Sequence, residues 1–157
     1  LGGTMSSRLF VRLREQLGVS YYNYASQVSW PQYGYFTLGA GVHKDHVQKA
    51  VDAMYEECVK VTNTLVTKAE LTRAQEAYVN PALMSLEMPM AVASYVASFD
   101  MYEEEYISPA VFEKKIRAIT QEDIYRVAKM ILKKENIIIV VVGPHEQKDV
   151  HIPILAV

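Results

Sequence analysis

Leu1-Gly2-Gly3-Thr4-Met5-Ser6-Ser7-Arg8-Leu9-Phe10-Val11-Arg12-Leu13-Arg14-Glu15-Gln16-Leu17-Gly18-Val19-Ser20-Tyr21 opens the chain and decides how the rest is read. It divides into a loop, a short helix, a glycine stop and the head of a strand. Ser6 or Ser7 is a candidate N-cap, because a serine oxygen accepts a backbone N–H that the first helical turn leaves unpaired. At roughly 100° per residue, Leu9, Phe10, Leu13 and Leu17 gather on one stripe, the pattern of a helix lying on a core. Gly18 follows as a C′ residue able to take positive φ. Arg8 and Arg12 fall well away from the stripe. Arg14 lies about 85° from its centre, at the border between core and water, where it can reach along the protein.

Past the glycine, 19–30 alternates like a half-buried strand. Tyr22, Tyr24, Val28 and Trp30 share one face; Tyr21, Asn23, Ala25, Gln27 and Ser29 share the other, smaller and more polar one. Residues 33–42 repeat the division, with Phe36, Leu38, Ala40 and Val42 opposite Tyr33, Tyr35, Thr37, Gly39 and Gly41. Two such neighbours predict an antiparallel sheet covered by helices on its greasy side and open on the other, with Tyr21 on the open side.

The remaining chain predicts mostly helix. His43 to Leu65 carries Val47, Val51, Met54, Cys58, Val61 and Leu65 at helical spacing, and Cys58 in that seam reads as a buried structural thiol. His43 and His46 have a spacing that can bind a metal, but with Asp45 alone beside them they read as solvated histidines. Thr67-Lys68-Ala69-Glu70 is a capping box. A helix follows through Leu71, Ala74 and Tyr78, and Pro81 should kink or break it. Pro89 suits the first turn of another helix, through Ala91, Tyr95 and Phe99. Met84, Met88, Met90 and Met101 fit either an adaptable surface or, as we favour here, core filling. Glu103 to Glu105 reads as a solvated helix end. Ser108-Pro109 and Thr120 open two further helices, the second burying Ile124, Val127, Ala128, Ile131 and Leu132. Six consecutive β-formers, Ile137 to Val142, predict a central strand buried on both faces, and 145–157 reads as a tail without period.

The 157 residues suffice for one domain with a sizeable core, and half of them are apolar against 22% charged, a globular balance. We therefore expect one α+β unit. A formal net charge of −2 offers no electrostatic reason to expect nucleic acid or an anionic membrane as partner. No apolar run approaches the roughly 18 residues that a spanning helix needs. The single cysteine rules out an internal disulfide and is compatible with a reducing, cytoplasmic setting.

The opening stretch resembles the C-terminal homology half of the pitrilysin/insulinase (inverzincin) zinc metallopeptidases, to which the mitochondrial processing peptidase and its bacterial relatives belong. The likeness rests on Gly2 to Phe10 and Leu13 to Tyr21. It continues through Thr67 to Ala74, Ile119 to Asp123 and Val141 to Pro144, so that 1–144 corresponds to the half domain. This resemblance implies an antiparallel-rich sheet with helices on one face, beginning after the first strand and helix of that half, with a missing piece of sheet expected from another segment. It also implies an N-terminal sister half as partner, from the same gene or a separate subunit. That half carries His-x-x-Glu-His and a distal glutamate: the histidines and the distal acid hold zinc, and the central glutamate activates water. The motif does not occur here, so the chain by itself is expected to hold no catalytic metal and to be inactive. By resemblance, Arg14 and Tyr21 are the catalytic residues this half contributes, and Gly2, Gly3 and Met5 belong to a substrate-facing glycine-rich loop. Against this stand a surface ion pair for Arg14 and plain packing for Tyr21. The function implied is the substrate-binding half of a zinc endopeptidase acting on unfolded peptides. Its alternatives are a non-catalytic structural subunit of the same fold and a stand-alone peptide-binding module.

Overall fold

The computed structural model describes residues 1–30, 32–102 and 104–151. The chain divides into two compact units, one formed by 1–65 with 125–157 and the other by 66–124.

In the first unit the stretch Phe10–Gln16 winds as a π-helix, wider than the expected α-helix. Its start is capped as serine chemistry predicts: the Phe10 N–H donates to Ser7 Oγ at 3.4 Å. At its end Gly18 takes φ +62°, and Val19 N–H returns to the Leu13 carbonyl at 2.9 Å. That left-handed residue turns the chain into β1 (Ser20–Ser29), which pairs antiparallel with β2 (Gly34–Val42). Leu9 and Leu13 are completely buried and join Val19, Ala50 and Ala53 in the core, against which Leu17, Ala25, Leu38, Ala40 and Val42 pack. The helical cover on one face is completed by α1 (Val47–Asn63), which lies against both β2 and the π-helix. Cys58 is buried in α1 as its seam position predicts, whereas Leu65, assigned to the same seam, falls beyond the helix and is 45% exposed.

The faces of β2 follow the prediction and those of β1 do not. Ser20 pairs with Val42, but Tyr22 pairs with Gly41, so a bulge places two residues, Tyr21 and Tyr22, opposite one. A bulge reverses the alternation beyond it. Ala25 therefore faces the core, while Tyr22 and Tyr24 stand on the open side with Gly41 and Gly39. Simple alternation from Ser20, which is buried opposite Val42, puts them on the core face, because the bulge between Ser20 and Tyr22 leaves no residue-level mark.

The second unit contains α2 (Lys68–Ser85), α3 (Pro89–Met101) and α4 (Pro109–Arg117). Thr67 Oγ1 accepts the Glu70 N–H at 3.2 Å, the threonine half of the capping box. Pro81 does not end α2, which runs four residues further before the chain breaks ahead of Pro89. The Gln75 side chain bridges α2 to the end of α4 by donating to the carbonyls of Ile116, Arg117 and Ile119 at 3.1–3.2 Å. The expected burial of methionines fails: Met84, Met88, Met90 and Met101 are 63–74% exposed, and α3 buries no residue. Glu104 and Glu105 are exposed as expected; Glu103 lies outside the described residues.

α5 (Gln121–Ile131) buries Ala128 alone, and Ile124, Val127 and Ile131 stay more than a third exposed. Ile137 to Val142 is not a central strand. It joins neither β1 nor β2, and Ile138, Val140 and Val142 are 80–96% exposed. A doubly buried strand requires neighbours on both edges, and the sheet among the described residues has two strands only. The tail is tied to α1 as far as His151, whose N–H donates to Gln48 Oε1 at 2.8 Å and whose carbonyl accepts from Gln48 Nε2 at 3.0 Å. Residues 152–157 lie outside the described residues.

Candidate active-site half

Two elements bring Arg14 and Tyr21 together. The π-helix anchors its Leu9 and Leu13 face in the core, which leaves Arg14 exposed at its rim. Gly18 then reverses the chain so that the head of β1 passes beneath the arginine. An Arg14 guanidinium N–H donates to the Tyr21 carbonyl at 2.6 Å. The same guanidinium stands 5.9 Å from the centre of the Tyr21 ring and 5.5 Å from that of Phe10. Tyr21 itself is 81% exposed. The two side chains therefore converge on one solvent-facing spot. A guanidinium has five N–H donors in a planar fork, and one of them holds the strand while the fork faces outward. Arg12, by contrast, ion-pairs with Glu56 of α1 at 2.9 Å.

The glycine loop lies against the same strand. The Gly2 carbonyl accepts the Ala25 N–H at 3.2 Å, and the Leu1 carbonyl accepts that of Leu9 at 3.0 Å. A Cβ at Gly2 would stand 2.5 Å from the Ala25 nitrogen, so only glycine permits this approach. Gly3 has open space on its Cβ side and Met5 is 78% exposed. Gly2 thus fits closely to the chain's own β1, while Gly3 and Met5 project away from it.

Among the described residues no three His, Cys, Asp or Glu side chains converge. His43 Nδ1 pairs with Asp45 at 3.3 Å, and the His43 and His46 ring centres are 6.1 Å apart. Burial pushes the Cys58 thiol up to about 11, which keeps it protonated and a poor ligand. A cleft of about 500 Å³ in the second unit is lined by Ala82, Leu83, Leu86, Tyr95 and Phe112 among others. It offers no acid, base or cation.

Reasoning from the sequence missed Tyr22 and Tyr24 as residues of the open face. Their signal was the pairing with glycine. A Cβ at Gly41 would come within 2.2 Å of the Tyr22 ring, and one at Gly39 within 2.4 Å of the Tyr24 ring.

The described residues thus form an α+β half whose hairpin exposes an arginine and a tyrosine side by side. Residues 1–78 match the Peptidase M16 inactive domain, and this half of the chain belongs to that family. The chain is 27% identical over 95% of its length to an uncharacterised zinc protease of Streptomyces coelicolor, and covers 32% of that protein. It is 28% identical over 74% of its length to the Dictyostelium discoideum mitochondrial-processing peptidase subunit alpha-2, covering 26% of it. The chain thus spans a third or less of these relatives. Its fold matches the inactive peptidase domain of a zinc protease from Bordetella parapertussis, with a TM-score of 0.72 at 18% identity, over 87% of this chain and 74% of that one.

Proposed function

We propose that this chain is the substrate-binding, active-site-completing half of a zinc-dependent endopeptidase acting on unfolded peptides, the metal being held by an N-terminal half in the same or another chain. The observation that carries the reading is the convergence of Arg14 and Tyr21 on one exposed spot. Amide hydrolysis builds negative charge on the carbonyl oxygen. A positioned phenol O–H or guanidinium N–H aimed there lowers the barrier, one such donor contributing about 3 kcal/mol. Arg14 stays charged at any working pH and can grip a backbone carbonyl or a terminal carboxylate. Its bond to the Tyr21 carbonyl fixes the strand that carries the phenol, so one residue positions the other. A structural subunit of the same fold has no use for such a pair on its surface. The names of the relatives support the peptidase class.

The test is to combine the chain with a zinc-bearing half and follow cleavage of a quenched peptide. Arg14→Ala and Tyr21→Phe should each slow turnover about a hundredfold, with the assembly intact by size exclusion. Unchanged rates in an intact assembly would leave the structural-subunit reading in its place.

A further inference from the structure

Residues 19–42 form an unbroken run of twenty-four without a charged side chain, and five of them are tyrosines. The hairpin built from this run turns Ala25, Leu38, Ala40 and Val42 to the core and the rings of Tyr22 and Tyr24 outward. On β1 that is the reverse of what burial alone favours. Tyr22 and Tyr24 are 57% and 44% exposed, and each ring lies across the glycine that faces it on β2. The glycines let the rings settle on backbone, which holds them while leaving their outer surface free. Tyr21, brought to the same side by the bulge, adjoins them at the Arg14 end.

We propose that Tyr22 and Tyr24 form a two-ring subsite that selects extended peptides carrying uncharged apolar side chains at alternate positions. The inference rests on the proposed peptide-binding role and adds the substrate class. Two residues along a strand span about 6.8 Å, the same repeat that separates side chains i and i+2 on one face of an extended peptide. A peptide lying along the open face beside Arg14 meets one ring with every second side chain. Aromatic and branched aliphatic groups gain contact there. The run 19–42 carries no charge of its own, so an ammonium loses hydration over the two rings with nothing to replace it, and a carboxylate finds only Arg14, which stands over the Tyr21 ring at one end.

The experiment measures fluorescence anisotropy of labelled eight-residue peptides on the full chain. Each peptide holds two phenylalanines among glycine and serine, spaced i,i+1, i,i+2 or i,i+3, with Glu, Lys or Arg replacing both in further peptides. The i,i+2 peptide should bind about fivefold tighter than the other spacings and the charged set. Tyr22→Ala and Tyr24→Ala should each abolish that preference, while Tyr22→Phe retains it with an unchanged circular dichroism spectrum. Equal binding of all spacings overturns the subsite and leaves the peptide-binding role standing. Tighter binding of the Arg peptide, or a preference that survives both alanine variants, also overturns it. A dimer in sedimentation that dissociates in Tyr22→Ala would assign the face to a second copy instead. If no peptide binds and Arg14→Ala changes nothing, the wider reading fails with it.

Discussion

Tyr21 and Gly18 show how two single residues set the contact between Arg14 and the head of β1. The bulge at Tyr21 gives the strand an extra residue just where the Arg14 guanidinium takes its carbonyl. Gly18, at φ +62°, makes the turn that brings the strand under the arginine. An L side chain in that conformation costs roughly 1–2 kcal/mol. Gly18→Ala should lower stability by that amount in urea unfolding, although a Cβ there meets nothing within 4 Å. Cys58 gives the pH dependence. Burial raises its thiol from 9.0 to about 11, so the fold holds the neutral form. Below pH 9 both folded and unfolded thiols are neutral and the contribution is fully present. Between 9 and about 11 the unfolded thiol ionises first, and stability falls by at most about 1.4 kcal/mol per pH unit. The urea midpoint should drop more between pH 8 and pH 10 for the wild type than for Cys58→Ala. Equal slopes would place the thiol in contact with water.

At the scale of elements, the core stands on the π-helix. Leu9 and Leu13 are the part of the apolar stripe that buries completely, while Leu17 and Phe10 remain half-buried. Leu13→Ala should cost about 3–5 kcal/mol, the usual range for a large-to-small change in a closed core. A loss under 1 kcal/mol would mean that the hairpin is held elsewhere. The opening helix, its glycine stop, the hairpin and the helix caps were legible in the residues because each has a local cause: a stripe, a positive φ, an alternation, a serine or threonine oxygen. The π-winding and the bulge were not. Each adds a residue to a regular hydrogen-bond pattern, within the helix in one case and along the strand pair in the other, and neither carries a marker in residue type. Helix existence was likewise legible in α3, but its burial was not: an apolar composition does not say whether another element covers it.

For the molecule as a whole, Ile137 to Val142 is the clearest case. Its composition is that of an inner strand, yet its even-numbered residues face solvent in this chain. Ile138→Lys and Val140→Lys should therefore leave the unfolding free energy of this chain, read by urea titration, within about 0.5 kcal/mol of the wild type, as exposed substitutions do. A loss of several kcal/mol would show the segment buried against the sheet. The expected location of the residue pair survived this scale better than the expected core did, because it depended on a short arc of chain, seven residues from Arg14 to Tyr21.

Sequence alone determined what local chemistry determines: where helices and turns start, that two strands form a hairpin, and that an arginine at the edge of an apolar stripe lies seven residues before a tyrosine. Tertiary structure decided which face each strand presents, which apolar residues are covered, and that the guanidinium grips the carbonyl of that same tyrosine. The reason is that side-chain direction in a strand has period two, so one bulged residue exchanges core and surface for everything beyond it. Burial, for its part, belongs to pairs of elements, and no single stretch of residues contains its own cover.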